Sequence, residues 1–130
     1  MVANTLIKKL NNKNAIVAII GLGYVGLPLI LRYIESGYKV LGIDVDDEKV
    51  NALNNGKSFI DHIPSEKIEH AVKSGFEATS DFSKISEVDA LIICVPTPLN
   101  KFREPDLGYV ISSVESSLPF IKKNQVISLV

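Results

Sequence analysis

The sequence predicts a doubly wound α/β fold, a three-layer α/β/α sandwich around a parallel sheet with strand order 3-2-1-4-5. Three observations predict it. Short apolar runs alternate with segments of helical period, which is the rhythm of βαβ units. The runs at 15–20 and 90–95 are apolar throughout and rich in β-branched residues, as strands covered on both faces require. A glycine-rich turn, Gly21-Leu-Gly23-Tyr-Val-Gly26, leads straight from the first run into a helical segment.

The elements follow in order. After the first strand, helical spacing in Val25, Leu29, Arg32/Tyr33 and Ile34 sets a helix over 25–36, stopped by Gly37. Residues 39–43 form the second strand, ending at Asp44. Asp46 is the N-cap of the next helix, with Asp47 and Glu48 on the positive end of its dipole, Val50 and Leu53 inward, and Asn55-Gly56 as the stop. A loop spans 57–64. Ser65 caps a short helix with Ile68, Ala71 and Val72 on one face and Gly75 at its end. Residues 76–79 are a short third strand, and Asp81 opens a turn or two of helix ending near Val88.

The fourth strand, 90–95, is cut off by Pro96-Thr97-Pro98, which cannot continue a central ladder. Asp106 caps a helix with Val110, Ile111, Val114 and Leu118 inward and Pro119 as its stop, and 125–130 is the fifth strand. No further element follows it, so the sequence is expected to be a fragment of a longer protein.

The 130 residues are 46% hydrophobic, enough for one core without a staple, and are expected to form a single dinucleotide-binding domain behind an N-terminal extension, 1–13. Fourteen Lys+Arg against fifteen Asp+Glu leave a net charge of −1 with no like-charge run, so no nucleic-acid partner is expected. The apolar runs fall far short of the roughly 20 residues that span a bilayer. The first residues lack a signal core, and the one cysteine suits a reducing compartment, so a cytoplasmic protein without membrane contact is expected. Cys94, His62 and His70 show no metal-ligand spacing.

Each part of the glycine turn has a mechanical reason. Gly21 makes the tight turn, Gly23 lets a pyrophosphate approach the backbone, and Gly26 lets helix and strand pack closely. The pyrophosphate then meets free N–H groups at the positive end of the helix dipole. Asp44, ending the second strand, accepts from the adenosine ribose hydroxyls. A carboxylate there repels the 2′-phosphate of NADP and so favours NAD. Lys49 either softens that repulsion or is a solvated helix residue. The bland reading of the motif has the glycines shaping a turn and Asp44 capping a loop; it leaves their joint occurrence unexplained.

Thr97 lies past the fourth strand at the topological switch point, where it either hydrogen-bonds the cofactor or simply stiffens a loop. Cys94, inside an apolar strand, is rejected as a nucleophile. His62 and His70 are expected to be isolated surface residues, and Arg103, Glu104 and Asp106 an ordinary solvated loop.

Gly21-Leu-Gly-Tyr-Val-Gly-Leu-Pro28, Gly42-Ile-Asp-Val-Asp46, Lys49-Val50, the stretch from Gly56 with Ile63-Pro-Ser65, and Cys94-Val-Pro-Thr-Pro-Leu99 together resemble the N-terminal domain of the UDP-glucose/GDP-mannose dehydrogenase family. The Arg103-Glu-Pro-Asp-Leu107 loop looks most like the bacterial UDP-N-acetylhexosamine 6-dehydrogenases of surface-polysaccharide synthesis. Such enzymes oxidise C6 of a nucleotide sugar from alcohol to carboxylate in two NAD-dependent steps. The resemblance implies that Gly21, Gly23, Tyr24, Val25 and Gly26 bind the pyrophosphate, that Asp44 and Lys49 hold the ribose, and that Thr97 contacts the cofactor near its reactive half. It also implies that the catalytic cysteine, lysine, asparagine and aspartate lie beyond Val130, that this chain binds cofactor without completing the reaction, and that the full-length enzyme is a homodimer or larger. Two rival expectations are a nucleotide-sensing regulatory module and an S-adenosylmethionine-dependent methyltransferase; the latter's cofactor has no pyrophosphate to use the third glycine.

Overall fold

The computed structural model describes residues 15–99, 101–123 and 125–129. The expected extension over 1–13 and the end of the fifth strand at Val130 lie outside the described residues. Five parallel strands form one sheet in the predicted order. At its centre β1 (Ile16–Ile20) lies between β2 (Lys39–Ile43) and β4 (Ala90–Ile93), while β3 (Glu77–Thr79) and β5 (Val126–Leu129) are the edges. Helices α1 (Gly26–Glu35), α2 (Asp47–Asn54), α3 (Ser65–Lys73) and α4 (Gly108–Ser117) connect them, with a 3-10 segment over Phe82–Glu87.

Strand register places the site. Ile20 is level with Ile43 and with Ile93, so the chain leaves the three central strands at one height, and Gly21, Asp44 and Cys94 emerge side by side. Alternation along β1 divides the core. Val17 and Ile19 pack with Leu27, Ile30 and Ile34 of α1, Leu53 of α2 and Ile68 of α3. Ala18 and Ile20 pack on the other face with Leu41, Ile43, Ile85, Leu91 and Ile93. Each large aliphatic side chain buried this way contributes roughly 1.5–3 kcal/mol of transfer free energy, which holds the strand ends in place.

Three local expectations are corrected. In α1 the buried series is Leu27, Ile30 and Ile34; Leu29 and Tyr33 are half-buried, and Val25 and Arg32 are exposed. The helix starts with Gly26 wedged against the turn, and that fixes its rotation on the sheet. Ser65 does not cap α3. The N-cap is Pro64, and the Ser65 hydroxyl instead accepts from the Ser58 N–H at 3.1 Å, fastening the 57–64 loop.

In α4 the expected inward face points out: Ile111, Val114 and Leu118 are exposed, and the buried residues are Ser113 and Ser117. Their hydroxyls donate to the carbonyls of Tyr109 and Ser113 at 2.7 and 2.6 Å, so serine is buried there with its hydrogen bond satisfied inside the helix. Asp106 sits one position ahead of the cap residue, Leu107, and its carboxylate accepts from the Gly108 N–H at 2.8 Å.

The β3 edge has a device of its own. In a three-residue strand paired on one side, the middle residue aims its N–H and C=O away from the partner. Those two groups of Ala78 are both taken by the side-chain amide of Asn54, which donates to the carbonyl and accepts from the N–H, each at 2.9 Å.

Candidate functional site

The turn after β1 is held from three sides. Gly21 has φ +101°, and its N–H donates to the Ile43 carbonyl at 2.8 Å. A Cβ there would meet the Cys94 carbonyl oxygen at 2.8 Å, so neither the conformation nor the space admits a side chain. A Cβ on Gly26 would fall 1.8 Å from the Gly21 carbonyl oxygen, so this glycine is required by the turn's own backbone. Gly23 is different. A Cβ there meets nothing within 4 Å, and its φ is not left-handed, so no feature of the fold calls for glycine at this position. What glycine does provide is bare backbone facing open space, at the N-terminus of a ten-residue helix with no side-chain cap and no acid in its first turn. Tyr24 and Val25 flank it, both exposed.

Asp44 stands beside the turn. Its carboxylate accepts from the Leu22 N–H at 2.9 Å and from the Asp46 N–H at 3.0 Å, one to each oxygen. The loop-capping and ligand-binding readings therefore coexist: the bonds fix the carboxylate's position, and each oxygen keeps a lone pair for a ligand hydroxyl. Asp46 is the N-cap of α2 as expected, accepting from the Glu48 N–H at 3.0 Å.

Gly21, Asp44 and Lys49 line one open cleft of about 510 Å³ at the C-terminal edge of the sheet. Thr97 is exposed and follows the lining residues Val95 and Pro96. Sequence reasoning missed much of the remaining wall: Val45, Phe82 and Tyr109 supply apolar and aromatic surface, and Ser112, Ser113 and Ser116 of α4 leave room beside them. The serine face of α4 thus borders the cleft. Spacing on α4 marks it only if serine is allowed to count as inward-facing.

His62 is exposed on its loop but not isolated: its ring stacks on Tyr24, centroids 6.3 Å apart at 22°. From the same loop, the Phe59 ring lies under the Lys49 ammonium, 5.7 Å from it. His70 is exposed on α3. Cys94 is buried, and burial pushes its thiol above the ordinary range, which suits an inert core residue. Arg103, with φ 60°, rides exposed on a loop closed by the Leu99 and Pro105 bridge and the Asp106 N–H on the Pro98 carbonyl at 2.7 Å.

A parallel sheet in this order, a glycine turn with one glycine explained only by open space, and an acid beside it in a shared cleft define a dinucleotide-binding domain of the Rossmann class. Bare backbone and uncapped helix N–H groups suit the two negative charges of a pyrophosphate, and the anchored carboxylate suits a ribose diol, so the residues present fit such a cofactor. The chain belongs to the UDP-glucose/GDP-mannose dehydrogenase family, whose NAD binding domain matches residues 15–129.

A UDP-N-acetyl-D-mannosamine dehydrogenase of Methanococcus maripaludis is 38% identical over 117 residues, covering 85% of this chain and 27% of that protein. Its counterpart in Escherichia coli K12 is 34% identical over 116 residues, covering 88% and 27%. Among solved structures, NDP-N-acetyl-D-galactosaminuronic acid dehydrogenase from Methanosarcina mazei Go1 superposes with a TM-score of 0.81 at 30% identity, covering 95% of this chain and 29% of that one. The chain thus spans 27% of the length of the curated relatives it matches. Among the described residues no helix is long and apolar enough to cross a membrane.

Proposed function

We propose that this chain is the NAD-binding part of a cytoplasmic nucleotide-sugar 6-dehydrogenase, homodimeric or larger when complete. Its substrate is a UDP-N-acetylhexosamine or UDP-glucose, whose C6 alcohol is oxidised to a carboxylate for surface-polysaccharide precursors. The observation that carries the reading is Gly23, a glycine with no internal reason to be one, set in the same turn as two glycines that have such reasons. Gly23, Tyr24 and Val25 present the pyrophosphate site, with Gly21 and Gly26 shaping the turn behind it. Asp44 receives the ribose hydroxyls, Lys49 stands at the same mouth, and Thr97 lies toward the reactive half. When bound, NAD supplies a hydride acceptor. This chain's part is to bind and orient it, and the covalent steps fall to the length of the relatives that this chain does not span.

Calorimetric titration of the chain with NADH, NADPH and S-adenosylmethionine tests the reading. Saturable NADH binding tighter than NADPH supports it. Binding of S-adenosylmethionine alone overturns it in favour of a methyl-transfer domain, and no binding by a folded sample withdraws the site. A partner protein whose association changed with NADH would turn the reading toward a sensing module.

A further inference from the structure

The loop 57–64 touches two of the proposed cofactor residues, and it is built to be stiff. It leaves α2 through Gly56, with φ +74° and the Lys57 N–H on the Ala52 carbonyl at 2.9 Å. Ser58 then ties it twice: its N–H donates to the Ser65 hydroxyl, and its own hydroxyl accepts from the Ile60 N–H at 3.2 Å. Ile60 and Ile63 are buried in the core at 4% and 6% exposure. Phe59 lies between two pinned residues, and its ring is the contact the structure gives the Lys49 ammonium.

Lys49 is the cationic residue among those lining the ribose end of the cleft, with Asp44 and Asp46 beside it. A 2′-phosphate entering there would be repelled by Asp44, and among the described residues lining the cleft, Lys49 is the cation that could offset this. We infer that Phe59 is a positioning residue for cofactor choice: by holding the Lys49 ammonium on its ring, it competes with a 2′-phosphate and strengthens the preference for NAD over NADP. The inference rests on the proposed site and adds to it a residue that is not among those lining the cleft. A ribose hydroxyl takes a single hydrogen bond from that ammonium where a 2′-phosphate pairs with its full charge, so the competition bears more on NADP than on NAD.

The test is titration of the chain with NADH and NADPH for the parent, Phe59→Leu and Phe59→Tyr, with urea midpoints for each. An exposed cation–π contact is equivalent to about two- to fivefold in affinity, so Phe59→Leu is expected to tighten NADPH by that factor and NADH by less than twofold. Phe59→Tyr keeps the ring face and should keep the parent's ratio. The gain should shrink at about 0.5 M salt, since it comes from a screened charge pair, and should vanish in Phe59→Leu/Lys49→Met.

A merely structural loop residue would weaken both cofactors together and leave their ratio alone. That result overturns the inference, as does a gain that persists without Lys49, or NADPH binding that weakens in Phe59→Leu. If the parent chain fails to bind NADH, the proposed function falls and this inference with it; if NADH binds and the ratio does not move, only this inference falls.

Discussion

Substituting alanine at Gly23 and at Gly26 separates glycines that serve a ligand from glycines that serve the fold. At Gly26 the new Cβ would sit 1.8 Å from the Gly21 carbonyl oxygen, where ordinary contact needs 3.4 Å or more. The turn or the helix must therefore shift by more than about 1 Å, and overpacking that moves backbone costs about 3 kcal/mol. That is a large part of the roughly 5–15 kcal/mol that stabilises a domain of this size. With a urea slope of about 1–3 kcal/mol/M, the midpoint of Gly26→Ala should fall by about 1–3 M.

At Gly23 the added methyl meets nothing within 4 Å and no left-handed φ opposes it, so the expected change in stability is within about 0.5 kcal/mol. The methyl would, however, stand in the place proposed for the pyrophosphate. Losing one charge-assisted hydrogen bond costs about 1.5–3 kcal/mol, so NADH affinity should drop at least tenfold. Urea unfolding followed by circular dichroism and NADH calorimetry read the two effects separately. Gly23→Ala that binds NADH like the parent, or that unfolds as early as Gly26→Ala, would refute the division between the two glycines.

Asp44→Asn should lower stability by about 1–2 kcal/mol, because an amide offers one oxygen where the carboxylate serves two N–H groups, and should also narrow the NAD over NADP preference. Thermal melting checks the first effect, and paired NADH and NADPH titrations well below the melting temperature check the second. Asn54→Ala should cost about 1–3 kcal/mol by leaving both outward groups of Ala78 without their partner, and the Ala78 amide should exchange with deuterium faster. Burial raises the Cys94 thiol above its ordinary 9.0, so at pH 8 alkylation should be slow in the folded chain and fast in urea. Because the folded value lies above the unfolded one, this thiol's contribution to stability is complete below pH 9 and declines as pH rises through the folded value, which urea midpoints at pH 7.5 and 10 will show.

The centre of the fold was legible in sequence because single runs carried it. The residues of β1 and β4 are apolar on both faces, and that pattern belongs to few structures besides a covered parallel strand. The cap at Asp46 and the glycine turn are likewise local, so residue type and order suffice. What stayed hidden depends on contacts distant in sequence. Periodicity counts serine as outward-facing, yet Ser113 and Ser117 bury because their hydroxyls are satisfied within the helix, and this leaves Ile111, Val114 and Leu118 in solvent. Phe59 against Lys49, His62 against Tyr24 and Phe82 in the cleft each join separate elements, and no spacing within one element announces them.

The Asn54 amide gives the sheet a direction. At one rim a side chain at the end of α2 occupies the donor and acceptor that β3 would otherwise offer to a passing strand, and so stands in for a neighbour without being one. At the other rim Val126, Ile127, Ser128 and Leu129 are all exposed. Extended chain meeting the β3 rim is therefore turned away, and a single side chain turns that edge into a finished margin.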